Sequence, residues 1–307
     1  MENLQEEVLP ERIIDEEYKT RRPISPGAEK WLFRPISCLD HGFVVLKDYL
    51  GNDSAIVEAA RVSYGKGTKS VNEDIGLIRY LRRHLHTTPS EMVEFKFQCK
   101  MPIFVARQWI RHRTASVNEY SGRYSEMPNE FYLPDEAVLR KQSPTNKQGR
   151  ADDLTPANKK KVLEALSEVY GLSFDYYENF LKSDIGLAKE LARIHLPLAT
   201  YTEWYWKIDL HNLMHFLALR LDSHAQHEIQ VFGQAMARII NDSVPIAYKA
   251  FEDYTLTAMR LSGPEIEFIK NYQLGNEDST RAEILEKFKN RRETDELMEK
   301  LEKLGFF

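Results

Sequence analysis

The sequence predicts an α+β fold, a small antiparallel sheet packed with several long helices in a single domain. Three observations carry this. "VEFKFQCKM" (93–101) alternates apolar and charged or polar residues, as a half-buried antiparallel strand does. From residue 157 onward the chain has helical periodicity with few breaks. No Gly- or Ser-rich linker interrupts it.

Residues 1–39 read as an N-terminal arm, charged and punctuated by Pro10, Pro23, Pro26 and Pro35, extended except for at most one short helix. "HGFVVLKDYLG" (41–51) reads as a strand entering a turn. Asp53 or Ser54 then caps a helix that turns Ala55, Ile56, Ala59 and Ala60 inward. Residues 74–86 form a second helix, with Ile75, Ile78, Leu81 and Leu85 at helical spacing. After the 93–101 strand, Pro102 opens a helix carrying Phe104, Val105, Trp109 and Ile110. Residues 135–156 read as a polar loop. Helices follow at about 157–182, 186–195, 203–222 and 224–242, and another starts at Pro245. Residues 263–303 look like two helices with a charged face. The expected division is an arm (1–39), a main domain (40–256) and a helical C-terminal extension (257–307).

With 42% hydrophobic and 29% charged residues, the chain has the make-up of a soluble globular protein. No run of about 18 apolar residues is present, so no membrane segment is expected. The acidic start "MENLQEEVLPERIIDEEYKTRR" lacks the apolar core of a secretory signal. Cys38 and Cys99 are the only cysteines, which fits a reducing cytoplasm and does not suggest a disulfide scaffold or a Cys-based zinc site. The formal net charge of −5 argues against general nucleic-acid binding but leaves room for a local anion site.

Four stretches could carry chemistry. "RHRTASVNEYSGRYS" (111–125) mixes Arg with Ser, Thr, Asn and Gly directly after a strand–helix unit. Guanidinium forks, hydroxyls and backbone amides are what a phosphate or pyrophosphate requires, although a solvated charged loop has similar composition. At the start of "LHTTPSEMVEF" (85–95), His86 and the preceding His84 stand at a helix end, where the helix dipole favours them without further reason. In "KIDLHNLMHFLALRLDSHAQHEIQ" (207–230), His211 and His215 share a helix face. Such a pair suits zinc or iron, but neither His-Glu-x-x-His nor Glu-x-x-His appears, so no metal is expected. Asp209, His211, His215, Arg220 and His224 would instead line a cofactor pocket, with leucines on the remaining faces. In "AKELARIHLPLATYTEW", Glu190 and Arg193 stand at i,i+3, as a local ion pair would.

Position by position, Arg111-His112-Arg113-x-x-Ser116-x-Asn118-x-x-Ser121-x-Arg123 resembles the signature of the flavin-dependent thymidylate synthases. "HTTPSEMVEFKF", "PIFVARQWIRHR", "ELARIHLPLATYTEWYW" and "LRLDSHAQHEIQ" resemble the same family, in its order and spacing, over roughly residues 40–256. The resemblance implies the fold of that family and a homotetramer with active sites shared between subunits. It implies FAD as cofactor, NADPH and 5,10-methylenetetrahydrofolate as co-substrates, and dUMP as the molecule methylated to dTMP. Gln108, Arg111, Glu119, Tyr120, Ser121, Gly122, Arg123, Arg193 and Arg220 fall on dUMP positions. Ser63, Thr88, Glu91, Arg111, His112, Arg113, Glu119, Asp209, His211, His215 and His224 fall on flavin positions. Arg220, Ser121 and His86 are the implied catalytic residues, with His86 and Glu91 at the edge shared by flavin and folate. Many members carry Asn and Arg where this chain has Asp209 and His211, and Asn where it has His215; a second branch of the family looks like this chain.

Two chemical routes are open. Ser121 could attack C6 of uracil, but serine is weak without an adjacent base and none is evident in the sequence. Alternatively, Arg220 could stabilise charge developing through N3 and O4 without a covalent bond, which is the route favoured here. Two other classes compete: a His-rich metal hydrolase, and a phosphate- or RNA-binding module built on the 111–125 arginines. Flavin absorbance separates all three.

Overall fold

A computed structural model describes residues 22–62, 71–144, 149–271 and 277–306. It contains two compact units, one running to Phe251 and the other spanning Glu252–Phe307. Among the described residues, no helix is long and apolar enough to cross a membrane.

The first unit is built on a five-stranded antiparallel sheet. β1 (Pro35–Cys38), β2 (Gly42–Leu50) and β3 (Glu94–Pro102) lie side by side. β4 (Ser116–Glu119) forms the other edge, and β5 (Arg140–Gln142) pairs with β6 (Arg150–Asp153) in a separate ribbon. β7 (Tyr201–Asp209) lies between β3 and β4.

β3 keeps the alternation expected of it: Phe95, Phe97, Cys99 and Met101 are buried, and the intervening residues are half-exposed. β7 is a correction. Residues 203–222 do not form one long helix; a strand comes first, pairing with β3 from Glu94↔Asp209 to Pro102↔Tyr201. Trp204, Trp206 and Ile208 point inward and Tyr205 and Lys207 outward, a period of two that the helical run behind it conceals. β4 and the β5–β6 ribbon also replace expected loops, and β1 draws the end of the arm into the sheet.

Ten helices surround this sheet among the described residues: α1 (Pro26–Trp31), α2 (Asp53–Arg61), α3 (Val71–Arg83), α4 (Thr88–Glu91), α5 (Ile103–Trp109), α6 (Pro156–Leu181), α7 (Lys189–Ala192), α8 (Leu210–Arg220), α9 (His227–Ser243) and α10 (Pro245–Phe251). Caps explain several boundaries. Asn52, not Asp53 or Ser54, caps α2, accepting from the amides of Ser54 and Ala55. Asp53 instead reaches α10, where its carboxylate accepts from Ile246 N at 3.0 Å and Ala247 N at 2.9 Å. The expected 186–195 helix is only α7 and a 3₁₀ turn, Arg193–His195. α1 lies against α9 because residue 27 is glycine: a Cβ there would stand 1.7 Å from the Asp242 carbonyl oxygen. Ser25 Oγ donates to Ser243 O, and Trp31 Nε1 to Asp242 Oδ2, at the same contact.

The core beneath the sheet is aromatic. Trp109 of α5 stacks on Phe216 of α8 at 5.0 Å and meets Trp204 and Trp206 edge-on at 5.4 and 5.2 Å. Such pairs add directional energy to the area they bury. Their consequence is positional: the C-terminus of α5 and the middle of α8 are fixed against each other.

The second unit holds α11 (Gly263–Asn271), α12 (Glu277–Phe288) and α13 (Arg291–Lys303), three helices where two were expected. Phe268, Ile284, Leu297, Met298 and Leu301 form its small core, and Glu265 accepts from Lys300 Nζ at 2.6 Å.

Candidate active site

Two clusters arise where the core helices end. The first is a cleft of about 730 Å³ between the segment after α5 and the exposed face of α8. Asp209 opens α8 by accepting from the Asn212 amide at 2.9 Å, and its second oxygen accepts from Asn212 Nδ2 at 2.7 Å. Leu210, Leu213, Met214, Phe216 and Leu217 then turn inward. That leaves His211, His215 and Leu219, four residues apart, on the cleft side, with Arg220 on the last turn. Opposite them stand Arg111, His112, Arg113 and Thr114.

Among the described residues, the cleft lining has three guanidiniums and no carboxylate. His112 is buried, its ring edge-on to Phe216 at 5.0 Å and 5.6 Å from His215. Burial, then the charges of Arg220 and His215, push its pKa down to about 4, so it is neutral at neutral pH. Burial likewise lowers the His211 pKa, against the opposing pull of Asp209 and Glu91. The Arg220 guanidinium lies 5.9 Å from the Phe216 ring centroid and donates from Nη2 to Gln108 O at 3.4 Å. Among the described residues, three buried polar atoms in or beside the cleft have no hydrogen-bond partner: Arg220 Nε, His211 Nδ1 and Gln108 Oε1. Unsatisfied groups of this kind cost stability unless a ligand or water completes them.

The second cluster lies further along the same segment. Ser121 Oγ accepts from the Arg123 amide at 3.3 Å, and Arg123 Nε donates to Glu190 Oε2 at 3.0 Å. Gly122 is buried against Arg193; a Cβ there would stand 3.0 Å from Arg193 Nη1. Glu190 thus pairs with Arg123, not with Arg193 as the i,i+3 spacing suggested. Glu119 accepts from Thr202 Oγ1 at 2.8 Å, and the Tyr120 hydroxyl donates to Glu126 O. Tyr124 and Ile194, neighbours of the two arginines, are 80% and 77% exposed.

The structure therefore divides the expected site residues. Arg111, His112, Arg113, His211, His215 and Arg220 come together in the cleft. Ser121, Gly122, Arg123 and Arg193 form the other cluster. Thr88 opens the short α4, which packs on α8, and Glu91 accepts from Thr87 Oγ1 at 3.5 Å. His86 is exposed after α3, 5.8 Å from the Tyr80 ring. His224 is exposed and held by Asp222 at 2.9 Å, outside the cleft lining. Asp209 is also outside the lining, and its carboxylate is engaged in capping. Ser63 lies outside the described residues. Thr114, Asn212 and Leu219 line the cleft without having been singled out. For Leu219 the signal was its place four residues after His215, and for Asn212 its place three after a capping Asp.

A family model described as thymidylate synthase complementing protein matches residues 45–246. A flavin-dependent thymidylate synthase of Ruegeria pomeroyi is 54% identical over 258 residues, covering 83% of this chain and 85% of the relative. One from Rickettsia conorii is 50% identical over 290 residues, covering 91% and 97%. The chain belongs to the flavin-dependent thymidylate synthase family. Membership makes it an enzyme, a methyltransferase. Among solved structures, a UMP/dUMP methylase, PolB from Streptomyces cacaoi bound with 5-Br UMP, is 34% identical with a TM-score of 0.64, covering 73% of this chain and all of that one. The same methylase bound with 5-Br dUMP matches with a TM-score of 0.65 at 32% identity. The α+β architecture is thus shared with methylases of this type.

Proposed function

We propose that the protein converts dUMP to dTMP by reductive methylation in the cytoplasm, with FAD as cofactor, 5,10-methylenetetrahydrofolate as carbon donor and NADPH as reductant. The observation that carries this reading is the cleft: among the described residues it has three guanidiniums, no carboxylate, and buried Arg220 Nε and His211 Nδ1 without hydrogen-bond partners. That donor set fits a flavin dinucleotide. Arg111 and Arg113 offer forks for a pyrophosphate, and neutral His112 and His211 offer nitrogens that donate or accept. Asp209 supports the cofactor indirectly by setting the start of α8. When bound, the flavin supplies the reducing equivalents that complete the methyl group.

The rest is done by side chains. Arg123 and Arg193, with Ser121 and Gly122 between them, hold the nucleotide phosphate. Gln108 and Arg220 face the base, where a fixed guanidinium stabilises negative charge at N3 and O4 as C5 becomes nucleophilic. Ser121 positions dUMP without attacking it: among the described residues its hydroxyl bonds a backbone amide, and no His, Lys, Asp or Glu side chain is hydrogen-bonded to it. His86 and Glu91 border the folate. The nucleotide cluster is open to solvent and flanked by exposed Tyr124 and Ile194, which supports a homotetramer whose subunits complete each other's sites.

The test is product formation. Purified protein given dUMP, methylenetetrahydrofolate and NADPH should release dTMP and tetrahydrofolate in equal amounts. Release of dihydrofolate in place of tetrahydrofolate, or no dTMP, would overturn the reading.

A further inference from the structure

The contact between Arg123 and Glu190 has a consequence for substrate affinity. Glu190 is the second residue of α7, and its Oε2 accepts from Arg123 Nε at 3.0 Å. Both side chains are about half exposed, at 60% for Arg123 and 50% for Glu190. The Glu190 carboxylate therefore occupies the guanidinium that the reading above assigns to the nucleotide phosphate. Beside it, Lys189 of the same helix pairs with Glu126, which directly follows the signature segment, at 3.4 Å. The helix is thus held to that segment by two pairs, and only one engages a phosphate-binding arginine.

We propose that Glu190 is an internal competitor for the substrate phosphate, a built-in carboxylate that holds Arg123 until a dianionic nucleotide displaces it. This rests on the assignment of Arg123 to dUMP and adds to it the residue that sets nucleotide affinity. The exchange is favourable for chemical reasons. A phosphate monoester carries about −1.5 to −2 charges at neutral pH against −1 for a carboxylate. It also accepts two parallel bonds from a guanidinium, whereas Glu190 takes one, at Nε. An uncharged nucleoside offers no such exchange, so the pair should leave nucleoside binding unaffected. Because the pair is solvent-exposed, its strength is modest, and removing it should tighten dUMP binding by about two- to fivefold.

The experiment is calorimetric titration of the full-length protein with dUMP. Four variants are compared with the unaltered chain: E190Q, K189Q, R123A and R123A/E190Q. E190Q should bind more tightly, K189Q should bind unchanged, and R123A/E190Q should bind as R123A does, since the competitor matters only through Arg123. Equal or weaker binding by E190Q, with R123A impaired, overturns the proposal and leaves the nucleotide assignment standing. Tighter binding by K189Q equal to that of E190Q also overturns it, since release of the helix would then be the cause. An R123A variant that binds dUMP normally fails the assignment itself.

Discussion

The cleft on α8 and the cluster at Ser121–Arg123 arise from one continuous segment, yet they are built in opposite ways. In the cleft, Arg111, Arg113 and His215 are exposed, but the inner groups are drawn partly out of water: His112 is buried, Arg220 Nε and His211 Nδ1 have no hydrogen-bond partner among the described residues, and the Trp109–Phe216 stack fixes both walls. In the cluster, Arg123 is exposed and already paired with Glu190, and Ser121 is satisfied by a backbone amide. Those inner groups are preorganised, so their contacts gain strength from low dielectric and need no rearrangement. The second exchanges partners, so its contacts are weaker and adjustable. On the proposed reading, chemistry belongs to the cleft and affinity to the cluster.

Breaking the preorganised side should have the larger effect. Arg220→Ala should lower tritium release from C5 of labelled dUMP by roughly 10²–10³-fold, the scale of losing one fixed donor at a developing charge. Flavin should remain bound, which visible absorbance checks. Near-normal tritium release would remove Arg220 from the charge-stabilising role. Breaking the adjustable side should cost less. Ser121→Ala should still form dTMP, with a KM for dUMP raised by about tenfold, the loss of one hydrogen bond to a charged group. Abolished turnover with intact dUMP binding would favour the covalent route and erase the contrast between the two regions.

The sequence showed these regions unevenly. β3 was legible because a half-buried strand writes its alternation directly into "VEFKFQCKM". β7 was not, because "TEWYWKID" runs into the leucines of α8 without a Gly or Pro, and only nine-residue pairing with β3 decides for a strand. The cation-rich segment stood out in the sequence through its resemblance to a family signature. Its division was not, since β4 turns the chain away from the cleft by pairing with a strand some eighty residues later. Asp209 and Asp53 show a further limit. An Asp before an apolar run reads equally as a ligand contact or a cap for its own helix, and Asp53 in fact caps a helix remote in sequence.

The central claim is that the α8 cleft holds the flavin, and the visible absorption spectrum of purified protein tests it most directly. The unaltered chain should be yellow, bleach with dithionite, and release its chromophore only on denaturation. A variant carrying both R113A and H211A should fold, as judged by its far-ultraviolet circular dichroism, and purify without colour. A colourless unaltered protein, or a double variant that keeps its full complement of flavin, would contradict the account.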